Sequence, residues 1–200
     1  MTMSLAACAS DAPVINKAAI ASEWEVAQWF NTERPLRLED LHGKVVLLHA
    51  FQMLCPGCVS YAVPLAERVH RQFADLGVAV IGLHTVFEHH AAMGPVALEA
   101  FLHEYRITHP VGVDQPTADD PIPQSMQRYR LRGTPSLMLI DRAGCLRLDK
   151  FGPVDELELG MWLGRLLTED PALSMSTGQG MARESDGCTA EACMPREGRG

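Results

Sequence analysis

Residues 45–58 read VVLLHAFQMLCPGC, and this stretch decides the fold. The apolar run Val45 to Phe51 predicts a strand that is buried on both faces, and the Cys55-Pro56-Gly57-Cys58 motif follows where a long helix is predicted to begin. The first turn of a helix leaves backbone N–H groups unpaired and carries a positive partial charge, which stabilises a thiolate. The stretch therefore predicts a redox pair in which Cys55 attacks a disulfide and Cys58 resolves the intermediate.

Cysteines at this spacing also occur in structural zinc sites, which need four ligands. The other close cysteine pair, Cys188 and Cys193, lies in a polar tail, and a zinc knuckle sits on a tight hairpin instead of between a strand and a helix. We therefore favour redox chemistry over zinc, and predict neither a metal site nor a cofactor.

Composition narrows the classes of partner. The chain has 200 residues, 47% of them hydrophobic, which suits one domain with a good core. A net charge of -8 argues against nucleic acid and anionic membrane surfaces as partners. Leu5 to Cys8 is similar to a lipoprotein cleavage box, but lacks the basic and apolar regions of a signal peptide. We expect a cytoplasmic protein, with a periplasmic location as the alternative if the true start lies upstream.

The pattern of elements predicts an α/β domain over residues 22–168, with a flexible arm over residues 1–21 and a disordered tail over residues 169–200. After the Val45 to Phe51 strand, periodicity predicts a helix from Pro56 to about Leu76 that is kinked at Pro64. The remaining predicted elements are strands at 78–83, 111–113, 136–140 and 146–150, the last at the edge of the sheet, and helices at 96–105, 124–129 and 154–167.

The sequence resembles the thioredoxin superfamily, and within it the TlpA-like branch that is grouped with AhpC/TSA-like domains. The resemblance depends on three motifs and on their order along the chain. They are Gly43 to Leu48 running into the cysteine pair, Arg132-Gly133-Thr134-Pro135, and the strand and turn from Ile140 to Gly144. The resemblance implies a thioredoxin-like fold, with a central mixed β-sheet flanked by helices on both faces. It also implies that Pro135 is cis and that Thr134 and Pro135 receive an extended substrate.

The sequence departs from that family in three places. Leu54 replaces the tryptophan that usually precedes the first cysteine, and Tyr61 replaces a TlpA-like glutamate. His49 replaces the buried acid of thioredoxins, six residues before the nucleophile. We predict His49 to be a general base for Cys58, the alternative being a hydrogen-bonded core histidine without a catalytic role.

Several further residues carry chemistry without a clear role. His84, Glu88, His89 and His90 are predicted to lie in a polar loop at the rim of the sheet, where they could tune the thiolate, bind a partner or metal, or simply be solvated. Cys145 is expected to be structural. Cys188 and Cys193 could shuttle electrons on a flexible tether or be incidental.

These features predict a thiol-disulfide oxidoreductase in cell redox homeostasis that acts on a protein or small-molecule disulfide, with an unidentified thiol electron donor. One alternative is a thiol peroxidase of the peroxiredoxin type, whose signature has Thr where this chain has Gln52. Another is a copper-binding chaperone using Cys55, Cys58, Met53 and the histidine loop, although that family has one more residue between its cysteines.

Overall fold

A computed structural model describes residues 19–169 of the chain. Residues 1–18 and 170–200 lie outside the described part, and with them most of the predicted arm and the predicted tail that carries Cys188 and Cys193. The boundaries proposed for the arm and the tail therefore stay predictions.

The described residues form a mixed seven-stranded sheet with the order β1-β7-β6-β3-β4-β5-β2. Its strands are β1 (Ala19–Ile20), β2 (Val26–Phe30), β3 (Val45–Phe51), β4 (Val78–His84), β5 (Val111–Asp114), β6 (Ser136–Ile140) and β7 (Cys145–Phe151). Strand β3 lies at the centre, parallel to β4 and antiparallel to β6. The thioredoxin-like fold and its mixed sheet are thus confirmed.

Four α-helices accompany the sheet, namely α1 (Val63–Phe73), α2 (Pro95–Glu104), α3 (Gln124–Tyr129) and α4 (Glu156–Thr168). Successive side chains of a strand point to opposite faces of the sheet. On one face, Val45 and Leu47 pack with residues of α1 and α4, and Phe51 packs with residues of α2. On the other face, Val46 and Leu48 pack with the segment before β3, with Tyr129 of α3 beside them. Helices therefore cover both faces, as predicted.

The helix that follows the cysteine pair is irregular at its start. Residues Cys58–Ala62 form one π-helical turn, and the α-helical part α1 begins only at Val63. Residues 56 and 57 are already helical, so Pro64 lies inside the helix, as predicted, and the irregularity directly before it is the π turn. The wider π turn accommodates the proline ring, which in a regular helix would clash with the carbonyl group of Ser60.

The prediction that β7 lies at the edge of the sheet is wrong. Ala19 and Ile20 pair antiparallel with Leu146 and Cys145, so that β1 is the outer strand on this side. A two-residue strand has too few side chains to give a periodic pattern, which is why the sequence did not indicate it.

Candidate active site

The two cysteines lie between β3 and α1 and form a disulfide bond. Cys58 is completely buried, whereas Cys55 is half-buried. The backbone N–H of Cys58 donates to Cys55 Sγ over 3.2 Å. Because this N–H belongs to the start of the helix, it stabilises negative charge on the more accessible sulfur. The local geometry thus favours Cys55 as the thiolate.

The loop before β6 packs against the disulfide. The Thr134–Pro135 peptide bond is cis, as the family resemblance implied. Cys55 Sγ lies 3.6 Å from the carbonyl oxygen of Thr134. A methyl group added at Gly57 would lie 3.6 Å from the Pro135 ring, so the proline covers the exposed turn between the cysteines. Thr134 and Pro135 therefore border the accessible side of the disulfide.

Gln52 connects the end of β3 to this loop. Its side chain is buried, its Nε2 group donates to Thr134 Oγ1 over 3.4 Å, and its Oε1 atom accepts from the backbone N–H of Phe87 over 3.4 Å. The sequence shows only that Gln52 stands where the peroxiredoxin signature has a threonine. The signal in the sequence that could have placed Gln52 beside the site is its position directly after a fully buried strand.

His49 lies on the face of β3 that α1 covers. Its ring is 1% exposed and stacks on Phe51 with a centroid distance of 5.3 Å. Phe51 in turn packs in the same buried cluster as Cys58. Phe51 thus links His49 to the cluster that contains Cys58, and the role of His49 as the base stays a prediction.

His109 and Glu67 extend the site in a way that the sequence did not indicate. His49 Nε2 lies 2.9 Å from His109 Nε2, and His109 Nδ1 lies 2.9 Å from Glu67 Oε2. Glu67 also accepts from the backbone N–H and hydroxyl of Thr108, over 2.9 and 2.6 Å, and from Arg71 Nε over 2.9 Å. An acid among the apolar positions of α1 was the available signal for Glu67.

Burial and the hydrogen bonds of this cluster shift its pKa values. Burial lowers the pKa of His49 well below the ordinary value for histidine, and the neighbouring His109 lowers it further, while Glu67 acts in the opposite direction. Burial likewise lowers the pKa of His109, against the effect of its bond to Glu67. For Glu67, burial opposes ionisation, but bonds from His109, Thr108 and Arg71 outweigh it and lower the pKa. Both histidines are therefore neutral and Glu67 is a carboxylate at neutral pH.

The four residues of the predicted histidine loop lie in two different environments, one buried and one exposed. His84 is not in a loop, because it is the last residue of β4 and is completely buried beside Phe51. Burial lowers its pKa to about 4. Glu88, His89 and His90 are exposed. Within residues 19–169, no group of three or more His, Cys, Asp or Glu side chains is arranged to hold a metal ion.

The other singled-out residues have structural surroundings. Leu54 leaves 57% of its surface exposed beside Cys55. The Tyr61 hydroxyl donates to the carbonyl oxygen of Val154, which connects the π turn to the chain before α4. Cys145 is a buried free cysteine whose thiol pKa is raised, first by burial and then by Asp141.

A thioredoxin-like sheet, a disulfide at the start of a helix and a cis proline beside it define the class. The described residues have a thioredoxin-like fold, and their cysteine pair has an arrangement suited to thiol-disulfide exchange. Within the described residues, no helix is long and apolar enough to cross a membrane.

Comparison with known proteins agrees with this class, and residues 16–148 match the AhpC/TSA family. The chain belongs to this family. The fold is similar to a crystal structure of a thioredoxin-like superfamily protein, with 57% identity, a TM-score of 0.74, and coverage of 76% of this chain and 99% of the other. It is also similar to a thiol-disulfide isomerase from Corynebacterium glutamicum, with 49% identity, a TM-score of 0.73, and coverage of 78% and 99%.

Among curated proteins, the chain is similar to protein DipZ of Mycobacterium bovis. The two are 33% identical over 133 residues, which is 65% of this chain and 18% of DipZ. The similarity therefore covers a small part of that longer protein.

Proposed function

We propose that Cys55 and Cys58 exchange electrons with the disulfide of a polypeptide that binds in an extended conformation along Thr134 and Pro135. The single observation that carries this proposal is the disulfide at the start of the helix, with Cys55 accessible and Cys58 buried. An accessible thiolate can meet a partner disulfide, whereas a buried thiol can react only with a sulfur already attached to Cys55.

The proposed reaction has two exchange steps. In the first, the Cys55 thiolate attacks the partner disulfide, forms a mixed disulfide and releases one partner thiolate. In the second, Cys58 loses its proton to His49 and attacks Cys55 Sγ, which forms the Cys55–Cys58 bond and releases the second partner thiolate. Two electrons pass from the cysteine pair to the partner, and the reverse sequence oxidises a dithiol.

Two observations support a polypeptide as the substrate. The carbonyl oxygen of Thr134 lies 3.6 Å from Cys55 Sγ, so the backbone of a bound peptide would pass this sulfur. Leu54 offers an exposed apolar side chain on the same side. A small disulfide would react with Cys55 Sγ without contacting Thr134 or Leu54. Substitutions at these neighbours should therefore affect a polypeptide substrate and not a small one.

The reduction potential of the cysteine pair bears on both the direction of electron flow and the cellular compartment. A potential near the value of about -270 mV known for thioredoxin suits a disulfide reductase in a cytoplasmic setting, while one near about -120 mV suits an oxidant outside the cytoplasm. We keep the cytoplasmic reductase as the working proposal.

The test is a redox titration of the full chain carrying Cys188→Ser and Cys193→Ser, in glutathione buffers, with free thiols counted at each potential. We expect one reversible transition of two thiols that disappears in Cys55→Ser and in Cys58→Ser. Mixed with an oxidised protein substrate, Cys58→Ser should accumulate a covalent complex that Cys55→Ser does not form. If neither variant removes the transition, the proposed redox pair is wrong.

A further inference from the structure

A continuous chain of hydrogen bonds leads from the centre of the sheet to α1. It joins His49 to His109 and His109 to Glu67, each over 2.9 Å. The three side chains are 1%, 0% and 8% exposed, respectively. Buried titratable groups joined in this way polarise one another and can pass a proton along the chain.

The bonds determine which ring nitrogens carry protons. Ionised Glu67 can only accept, so the proton between it and His109 is on His109 Nδ1. Neutral His109 then has a lone pair on Nε2, and it accepts the Nε2–H of His49. The lone pair of neutral His49 is therefore on Nδ1, which is buried and forms no hydrogen bond with any residue between 19 and 169. An unpaired buried base of this kind needs an explanation.

The two ends of the chain reach different surroundings. At the His49 end, Phe51 stacks on the imidazole ring and packs in the cluster that contains Cys58. At the other end, Glu67 lines an open groove of about 450 Å³ between α1 and residues 105–107, with Arg68, Arg71, Tyr105 and Arg106 around it. Neither cysteine of the disulfide lines this groove, nor does Pro135. A partner bound on Pro135 would thus leave the Glu67 end free.

We propose that His49, His109 and Glu67 form a proton relay that serves Cys58 in the resolving step, with His49 as the base and His109 and Glu67 as positioning residues. The inference rests on the proposed function, because it assigns the proton of that reaction. Removal of the Cys58 proton is needed while the partner still covers Cys55, and the relay gives this proton a route that the partner does not block.

The resolving step balances as follows. His49 Nδ1 takes the Cys58 proton, directly or through one water molecule, and the charge of Glu67 stabilises the imidazolium that forms. The imidazolium then passes its Nε2–H to His109, His109 passes its Nδ1–H to Glu67, and the proton leaves Glu67 for the solvent of the groove. The Cys58 thiolate attacks Cys55 Sγ, the bond between Cys55 and the partner breaks, and the partner leaves as a thiolate that later takes a proton from solvent. The electron pair of Cys58 thus ends on the partner sulfur.

Other charged and titratable groups surround the relay. His70 of α1 lies beside His109, with ring centroids 5.9 Å apart, and Arg71 binds Glu67. On the β4 side, His84 contacts Phe51. Burial lowers the pKa of His84, so this side chain is neutral and adds no charge near His49. Glu67 is the acid in the bonded chain, and its negative charge favours the protonated form of His49.

The test follows the two exchange steps separately. Reduced full-length protein, with Cys8, Cys145, Cys188 and Cys193 each changed to Ser to remove background thiols, is mixed with dithiobis(nitrobenzoate), which releases one coloured thiolate when Cys55 attacks and a second when Cys58 resolves. In Glu67→Gln we expect an unchanged first phase and a second phase about tenfold slower near pH 7. The deficit should shrink as the pH rises, because a larger share of Cys58 then ionises without a base.

Matched variants separate the relay from a merely structural role. Glu99→Gln removes the same charge from an exposed position of α2 and should leave both phases unchanged. Glu67→Asp keeps the carboxylate and should restore part of the second phase. If Glu67→Gln does not fold, His109→Asn breaks the same chain and is judged by the same two phases.

A second phase within about twofold of wild type at every pH would overturn the relay, and so would a deficit that does not change with pH. Loss of the first phase in the wild type would instead contradict the proposed function.

Discussion

Cys55 and Cys58 are three positions apart but lie in opposite surroundings. Around Cys55 are an exposed Leu54 and the half-buried Thr134 and cis Pro135, and only the inner side of Cys55 touches the buried cluster of Cys58. Around Cys58 is a buried apolar cluster that contains Phe51, and Phe51 stacks on His49, which is bonded to His109. The accessible half of the site has the features needed to meet a partner, and the buried half has those needed to handle a proton.

The difference explains why one motif can serve two steps. A thiolate at the surface is stabilised by a backbone N–H and needs no base, whereas a buried thiol is disfavoured as a thiolate by its surroundings. A base is therefore useful only to Cys58. Variants in the buried half should affect the second exchange step, and variants in the accessible half should affect partner binding.

The sharpest test of this division is His49→Asn. Removal of the proposed base should slow the second phase of the coloured-thiolate assay by about a hundredfold near pH 7, the lower end of what general bases contribute. The first phase should stay within about twofold, because the N–H of Cys58 still stabilises Cys55. Equal slowing of both phases would show that His49 supports the whole site and does not serve Cys58 alone.

His84 gives the buried half a measurable pH dependence of stability. Its pKa is about 4 in the folded protein and about 6.5 in the unfolded chain, so the unfolded state binds the additional proton between these values. Its contribution is complete above about pH 6.5 and is lost as the pH falls toward 4.

Unfolding in urea at pH 7.5 and at pH 4 measures how much the free energy of unfolding falls on acidification. This fall should be smaller in His84→Phe than in wild type, by an amount on the order of 3 kcal/mol. His103→Gln changes a histidine that is 86% exposed in its side chain, and should leave the slope unchanged. An identical slope in wild type and His84→Phe would mean that another group causes the acid sensitivity.

The secondary structure was largely predictable from the sequence where the pattern of apolar residues was strong. Strand β3 and helix α3 have the predicted limits, Val45–Phe51 and Gln124–Tyr129, because a continuous apolar run and flanking turn residues define them. His84 was misplaced, since a histidine before a polar segment reads as the start of a loop. Only the pairing of β4 with β3 and β5 shows that it completes the strand.

Of the candidate site, the cysteine pair, Pro135 and His49 could be predicted from the sequence, whereas His109 and Glu67 could not. Cys55, Cys58 and Pro135 belong to short motifs, and the structure brings them together. His109 is 60 positions from His49 and 42 from Glu67. The residues around each of them in the sequence do not indicate that the three side chains meet. Their contact depends on how α1 and the start of β5 pack on the sheet, which no periodicity in one segment encodes.

Gly82→Ala tests how closely the buried half is packed. An added methyl group would lie 2.9 Å from Val111 Cγ2 and 3.1 Å from His49 Nε2. We expect a loss of about 1 to 3 kcal/mol in the free energy of unfolding, together with a slower second phase, because His49 must move from His109. The matched control is Gly160→Ala in α4, where nothing lies within 4 Å and alanine should be neutral or stabilising. A fully active and stable Gly82→Ala would show that the His49 ring has room to move.

The smallest expected effect concerns the accessible half alone. Leu54→Ser removes an exposed apolar side chain beside Cys55, and should raise the KM for a protein disulfide about fivefold, since partial burial of a leucine is worth about 1 kcal/mol. Reaction with dithiobis(nitrobenzoate) should not change, because this reagent is too small to cover Leu54. Leu157→Ser, 85% exposed on α4, provides the control for a lost surface leucine elsewhere. If Leu54→Ser slows both substrates equally, the side chain shapes the thiolate and not the partner surface, and the separation between the two halves would have to be redrawn at Cys55.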